Sequence, residues 1–234
     1  MLILAFETSA KAASVALTEN GKLLGESYQN TGLTHSQTLM VMAEDTLKQC
    51  GRTAADVQAV AVAEGPGSFT GVRIGVAAAK GFAWGKQIPC FGLSTLEAMA
   101  ESLGAYSGIV CPVMDARRSQ VYNALFRAKS GKLERLTDDR AIALKDLAEE
   151  LKNYEEPVFL VGDGSNLCYN TLVNQIPNMV LPPEHRLHQR AVGVAILAGR
   201  MADAGLAPSG NELNPNYLRL SQAERERMER ENKK

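Results

Sequence analysis

With 234 residues, 45% of them apolar, the chain has material for one large core or two modest ones. A formal charge of −1 and a charged fraction of 22%, with no long basic block, exclude an extended polycationic surface and leave nucleic acid only a local patch. Cys50, Cys90, Cys111 and Cys168 are far apart and form no Cys-x-x-Cys pair, so they read as reduced thiols of a cytoplasmic protein rather than a disulfide frame or zinc site.

"MLILAFETS" is apolar only as far as Phe6, has no basic lead and meets Glu7 at once, which makes it a buried first strand rather than a signal peptide. No run approaches the ~20 apolar residues of a membrane span. "ASVAL" (13–17) is a second strand, and Asn20-Gly21 joins it to a third, because both residues tolerate positive φ. Thr34, with Gln37 three residues on, predicts a capping box opening a helix that runs to about Gln49. "VQAVAVA" (57–63) is a buried strand; the loop Gly65-Pro66-Gly67-Ser68 follows, and then a helix from about Gly71 to Gly85. "CFGLSTLE" ends a short strand and caps the next helix with Ser94 and Glu97.

The second half repeats the order. "IVCPVMD", "VYNALF" and "LERL" are strand-like, "LKDLAEEL" (144–151) is amphipathic, and "VFLVG" (158–162) is a buried strand before the helix "NLCYNTLVNQI". Each half reads β-β-β-α-β-α, and each carries Gly-x-Gly-Ser after its fourth strand: Gly65 to Ser68, and Gly162-Asp163-Gly164-Ser165. That echo predicts two like-built α/β domains facing a cleft, residues 1–106 and 107–217, followed by a charged tail at 218–234. A small-residue helix at 188–205 is placed to pack back on the first domain.

The glycine loop is not a Walker motif, since Gly71 and Val72 stand where Lys-Ser/Thr would follow. Either the N–H groups of Ser68, Phe69 and Thr70 hold an anion, or the glycines serve close packing and a partner. Gly71, Gly75, Ala78, Ala79 and Phe82 share a face of little bulk, which lets another element come near. In the preceding helix Leu39, Met40, Met42, Ala43, Thr46, Leu47 and Cys50 cover an arc of roughly 160°, wider than the ~100° one sheet face needs. The excess either packs within the chain or faces another subunit. Asp115 ends a strand with Arg117 and Arg118 on the turn beyond, a solvated turn or a grip on an acidic group. Glu7 and Ser9 end the first strand at the cleft. With Gly67, Ser68, Asp115, Gly162 and Gly164 they are the candidate cofactor contacts. No catalytic grouping is completed, and His185-x-x-His188 lacks a third metal ligand.

"ILAFETSAKAASVAL", "HSQTLM", "AVAEGPGSFTGVRIGVAAAKGFAWG", "GLSTLEAMA" and "MDARRSQVY" together closely resemble the bacterial TsaB proteins. The resemblance is specific over most of residues 1–125 and fold-level beyond. It implies the actin-like, sugar-kinase and Hsp70-like ATPase superfold. It also implies a non-catalytic subunit for making threonylcarbamoyladenosine beside the tRNA anticodon. The related catalytic subunit, TsaD, carries a metal-binding His-x-x-x-His where this chain has "GLSTLEAMA". The superfold's Asp-x-Gly-x-Thr phosphate signature is here Glu7-Thr8-Ser9-Ala10-Lys11, without the glycine. The implied chain is therefore a pseudo-enzyme with no metal and no cofactor. Its implied partners are TsaD, a TsaE-like ATPase in the same complex, a second copy of itself when TsaD is absent, and tRNA only through the complex. The interface expected here is Leu39, Met40, Ala43, Leu47, Val72, Arg73, Gly75, Val76 and Ala79. The competing reading is an ATP- or peptide-hydrolysing enzyme working from Glu7, Gly65–Thr70, Asp115 and Gly162–Ser165.

Overall fold

The computed structural model describes residues 1–219; the remainder of the expected charged tail lies outside the described residues. β1 (Leu2–Glu7) is buried along its whole length, as an apolar run paired on both edges and covered on both faces must be. β2 (Ala13–Glu19) lies antiparallel to it. β3 (Lys22–Gln29) folds back through the two-residue Asn20-Gly21 turn, with φ of 50° and 78°. α1 (His35–Gln49) follows. The expected capping box at its start does not form: the Thr34 side chain makes no cap bond, and the turn is held by its carbonyl accepting from Gln37 N at 2.9 Å. β4 (Ala59–Gly65), α2 (Phe69–Lys86), β5 (Cys90–Ser94) and α3 (Thr95–Glu101) complete the first run of elements, giving a sheet ordered β3-β2-β1-β4-β5. Leu2, Leu4, Phe6, Val15, Leu17, Val60 and Val62 face one way and pack on α1 and α2. A side chain of that kind contributes about 1.5–3 kcal/mol when fully buried.

The second sheet repeats this order around β6 (Gly108–Asp115), with one correction to the expected strands. "VYNALF" breaks into β7 (Gln120–Asn123) and β8 (Phe126–Lys129), which pair with opposite ends of β6. The break falls at Cys111 and Pro112, where proline has no N–H to give a neighbour. There the buried Asn123 amide donates to Pro112 O at 3.0 Å and Ala124 O at 3.1 Å instead. "LERL" supplies β9 (Lys132–Arg135), the far arm of an inserted hairpin. The third-strand position belongs to β10 (Arg140–Ala143), so with β11 (Val158–Val161) and β12 (Met179–Val180) the order is β10-β7-β6-β11-β12. α4 (Leu144–Leu151) buries the expected stripe Leu144, Leu147, Ala148 and Leu151, and it shares one face of this sheet with α5 (Ser165–Leu172).

α6 (Ala191–Asp203) comes last in the chain yet packs on the first sheet, over a floor made of Ala5, Ala16, Ala59, Ala61 and Ala63. Alanine floor and small-residue helix suit each other, because neither holds the other off. α3 does the reverse: Leu96, Met99 and Ala100, with Leu103 beyond its end, pack on Val110, Met114 and Phe126 of the second sheet. The two helices cross so closely that a Cβ on Gly193 would lie 2.0 Å from Ala98 O. Beyond α6, residues 205–219 form a strap over the first sheet. Pro208 O accepts from Cys90 N at 3.0 Å, Leu213 is buried in the core, and Asn216 N donates to Glu64 O at 2.7 Å.

Candidate functional site

The glycine turn before α2 lies on the end of β1. A Cβ on Gly67 would meet Ser9 O at 2.4 Å, and one on Gly71 would meet Thr8 O at 2.1 Å. Ser68 N donates to Ser9 O at 2.6 Å, and Thr8 Oγ1 donates to Gly71 O at 2.8 Å. Ser68 Oγ caps α2 by accepting from Gly71 N at 3.3 Å. The glycines therefore serve packing, and the Ser68 N–H that an anion would have used is already taken. The echo in the second half is built alike: a Cβ on Gly162 would meet Val113 O at 2.2 Å, and Gly164 N donates to the same carbonyl at 3.1 Å.

Between the halves lies a cleft of about 550 Å³ that brings together Ser9, Gly67, Ser68 and Asp115 from the expected set. Gly162 and Gly164 sit against the backbone of β6 instead, and the residue between them, Asp163, reaches the cleft. Glu7 lies beneath it, only 1% exposed. Its Oε1 accepts from Ser9 N at 2.6 Å, while Oε2 has no partner. Burial pushes this carboxyl up to about 7, against the pull of the Ser9 groups beside it, and the Asp163 charge adds a smaller push upward. Asp163, which accepts from Gln189 Nε2 at 3.0 Å, is raised by burial as well. Asp115 accepts from Arg117 N at 2.7 Å and pairs with the Arg117 guanidinium at 3.2 Å. The turn it anchors is strained: Arg117, Arg118 and Ser119 have φ of 65°, 55° and 56°, and a left-handed residue other than glycine costs roughly 1–2 kcal/mol.

These residues do not fit the phosphates of a nucleotide. The β1–β2 loop has no glycine to admit one, its acid is buried, and the neighbouring glycine turn is closed against the chain's own carbonyls. The strap narrows the mouth: the Tyr217 ring stacks on Phe69 at 4.2 Å, and Arg219 Nη1 donates to Ala116 O. The same facts separate the groups a hydrolase would need. Glu7 is sealed from the open cleft and the two glycine turns are packed down, so they do not converge on a substrate. Among the described residues no group of three or more His, Cys, Asp or Glu side chains is arranged to hold a metal ion. His188 pairs with Glu184 at 3.0 Å, and His35 Nε2 meets Ala10 O at 2.8 Å. Burial pushes the Cys90 thiol up to about 11 and that of Cys168 to about 12, which keeps both protonated and poor nucleophiles.

The expected interface residues divide. Leu39, Ala43, Leu47, Val72, Gly75, Val76 and Ala79 are buried in the chain's own core, because a helix on a sheet must bury such a stripe. The small-residue face of α2 meets β1 and β4, not a partner: a Cβ on Gly75 would lie 2.4 Å from Thr8 Oγ1. Met40, 47% exposed, and Arg73 face outward. Arg73 stacks over Phe69 at 4.0 Å and donates Nε to Tyr217 Oη at 2.7 Å. Between the two helices runs a groove of about 660 Å³ in which Met40, Val41, Ala43, Leu47 and Phe82 meet, with Glu44, Lys48 and Arg52 also lining it. The sequence reading missed Val41, 57% exposed, and Trp84, 80% exposed on α2. It also missed the strap residues Tyr217 and Arg219, and it held Asp163 only as part of the Gly162–Ser165 turn of the hydrolase reading. The chain's one tryptophan, set between Gly81 and Gly85, was the available signal for Trp84.

Two five-strand orders of one pattern, joined by crossing helices, define a duplicated α/β fold, shared with the solved ethanolamine utilization protein EutJ from Carboxydothermus hydrogenoformans at a TM-score of 0.50 and 13% identity. Residues 29–226 match the family model described as TsaD, tRNA N6-adenosine threonylcarbamoyltransferase. The tRNA threonylcarbamoyladenosine biosynthesis protein TsaB of Bacillus subtilis is 33% identical over 224 residues, 96% of each chain. TsaB of Escherichia coli is 34% identical over 152 residues, 64% of this chain and 65% of that one. A solved structure of YeaZ from Pseudomonas aeruginosa superposes with a TM-score of 0.75 at 27% identity, covering 93% of this chain and 99% of that one. This chain belongs to the TsaB family.

Proposed function

We propose that this chain is a non-catalytic subunit that pairs with a TsaD-like transferase, and that the pair places a threonylcarbamoyl group on the adenosine beside the tRNA anticodon. The observation that carries this reading is the α1–α2 groove, an apolar surface on the outside of helices whose inner stripes are already buried. Exposed apolar clusters of this kind are partner surfaces, and methionine suits them because its side chain adapts. The closed glycine turn and sealed Glu7 support a chain that lends shape rather than chemistry. The docking residues are then Met40 and Val41 with the outer edges of Ala43 and Leu47, Phe82 beside them, and Arg73 at the start of α2. A second copy of the chain uses the same groove when the transferase is absent, so the two pairings compete. A TsaE-like ATPase joins the complex, and tRNA reaches the chain only there.

Mixing the purified chain with a TsaD-like protein tests this by light scattering and by modification of tRNA. The expected result is a heterodimer whose activity needs both chains. Met40→Asp weakens pairing about a hundredfold, the equivalent of ~3 kcal/mol. Because Met40 is already half exposed, its melt shifts by less than ~0.5 kcal/mol. A stable Met40→Asp chain that pairs normally, or a wild-type chain that alone hydrolyses ATP at ~1 per second, overturns the proposal.

A further inference from the structure

Three cations from three separate segments meet at the mouth of the interdomain cleft. Lys11 comes from the β1–β2 loop, Arg117 from the strained β6–β7 turn, and Arg219 from the end of the strap. Arg219 uses Nη1 on the carbonyls of Ala116 and Arg117, and its other guanidinium N–H groups make no hydrogen bond among the described residues. Arg117 is balanced by Asp115, whereas Lys11 is exposed. Ser9 lines the same cleft, fully buried, with its hydroxyl beside the Glu7 carboxyl. Beside these groups Tyr217, 40% exposed, is held in its stack on Phe69.

We propose that this mouth binds the phosphodiester backbone of RNA: Lys11, Arg117 and Arg219 hold phosphates, and the Tyr217 ring contacts the strand beside them. The inference rests on the proposed pairing with a tRNA-modifying partner and assigns this chain its own part in holding that substrate. Cations spread over both halves and the strap match a polymer that presents successive phosphates, whereas a nucleotide needs the glycine loop that is closed here. An aromatic ring among cations is the usual platform for an unpaired strand, since any base offers a π-face. The carboxyls deeper in the cleft are held within the chain: Glu7 is sealed and pushed up to about 7 by burial, and Asp163 accepts from Gln189 Nε2 at 3.0 Å.

The test measures binding of a labelled anticodon stem-loop RNA to the heterodimer by fluorescence anisotropy over a range of salt, for the wild type and for Lys11→Gln/Arg117→Gln. The double variant is expected to bind about tenfold more weakly, with a log–log salt slope shallower by about 1.4, because two single-strand phosphates are no longer neutralised. Light scattering and a thermal melt verify that the pair and the fold are intact. Unchanged affinity and slope in an intact pair overturn the proposal. So does a double variant that loses the partner while the variant chain alone crosslinks RNA as the wild type does, because the cations then serve an acidic protein surface. Displacement of RNA by ATP or inorganic phosphate beyond the effect of chloride at equal ionic strength also overturns it, since the site would then be one for a small anion. If no heterodimer forms with wild-type chain, the pairing reading has failed and ultraviolet crosslinking of RNA to the chain alone decides. A crosslink within residues 214–219 supports the site, and none overturns it.

Discussion

Glu7 and Asp115 occupy the same position in the two halves, each closing the central strand of its sheet. Each accepts a hydrogen bond from the N–H two residues on, at 2.6 Å from Ser9 and 2.7 Å from Arg117. One carboxyl is sealed and pushed up to about 7, while the other stands part-exposed beside an arginine. The local motif is therefore not what distinguishes them. The difference comes from what lies on top: at Glu7 the Gly67 turn closes on the Ser9 carbonyl, whereas at Asp115 the chain turns left-handed and leaves the cleft open. The two acids share a local geometry and differ in access, so the cleft does not present them as an equivalent pair.

The largest effect expected from breaking that contrast is on pH dependence. The native pKa of Glu7, about 7, exceeds the ordinary value of 4.5. The folded state thus prefers the protonated carboxyl, and its contribution is fully present below pH 4.5 and lost as pH rises through 7. At 1.36 kcal/mol per unit the loss amounts to about 3 kcal/mol. Glu7→Gln is expected to flatten this slope and to stabilise the chain at pH 8. Urea titrations at several pH values measure it, and equal slopes in wild type and Glu7→Gln would show that the carboxyl is not sealed.

The turns themselves give a smaller, sharper contrast. A Cβ at Gly67 falls 2.4 Å from Ser9 O, while at Gly164 its nearest neighbour is Val113 O at 3.0 Å. Gly67→Ala is expected to cost about 1–3 kcal/mol, as overpacking does, and to lower the Glu7 pKa by loosening its cover. Gly164→Ala costs less, and thermal melts of the two variants rank them; the reverse order would reject the tight nesting of the first turn.

Smallest is a change that stabilises. Gly81 lies on the outer side of α2 with nothing near its added Cβ, so Gly81→Ala gains about 0.5–1 kcal/mol of helix propensity. Gly75→Ala in the same helix presses on Thr8 Oγ1 at 2.4 Å and is expected to lose stability. Opposite signs from one substitution in one helix would locate the buried face of α2 by calorimetry.

Much of the frame was legible because its signals are local. The Asn20-Gly21 hairpin follows from which residues accept positive φ, the stripe of α4 from helical period, and the doubled Gly-x-Gly-Ser turn from its place after a buried strand. The small-residue face of α2 was legible too, as a surface that invites close approach. What approaches was not, because glycine records a short distance and carries no information about whose atoms lie across it. Thr8 and Val62 of the same chain do so here, and the exposed apolar groove proposed for a partner is lined instead by Met40 and Val41 of α1 with Phe82 at its edge. The exchange of α3 and α6 between the sheets, the β8–β9 insertion and the strap that brings Tyr217 to Phe69 are likewise decided only in three dimensions. Their contacts join residues more than ninety positions apart or depend on which of two apolar faces is free. Periodicity along a chain fixes that a face is buried, and only packing selects what buries it.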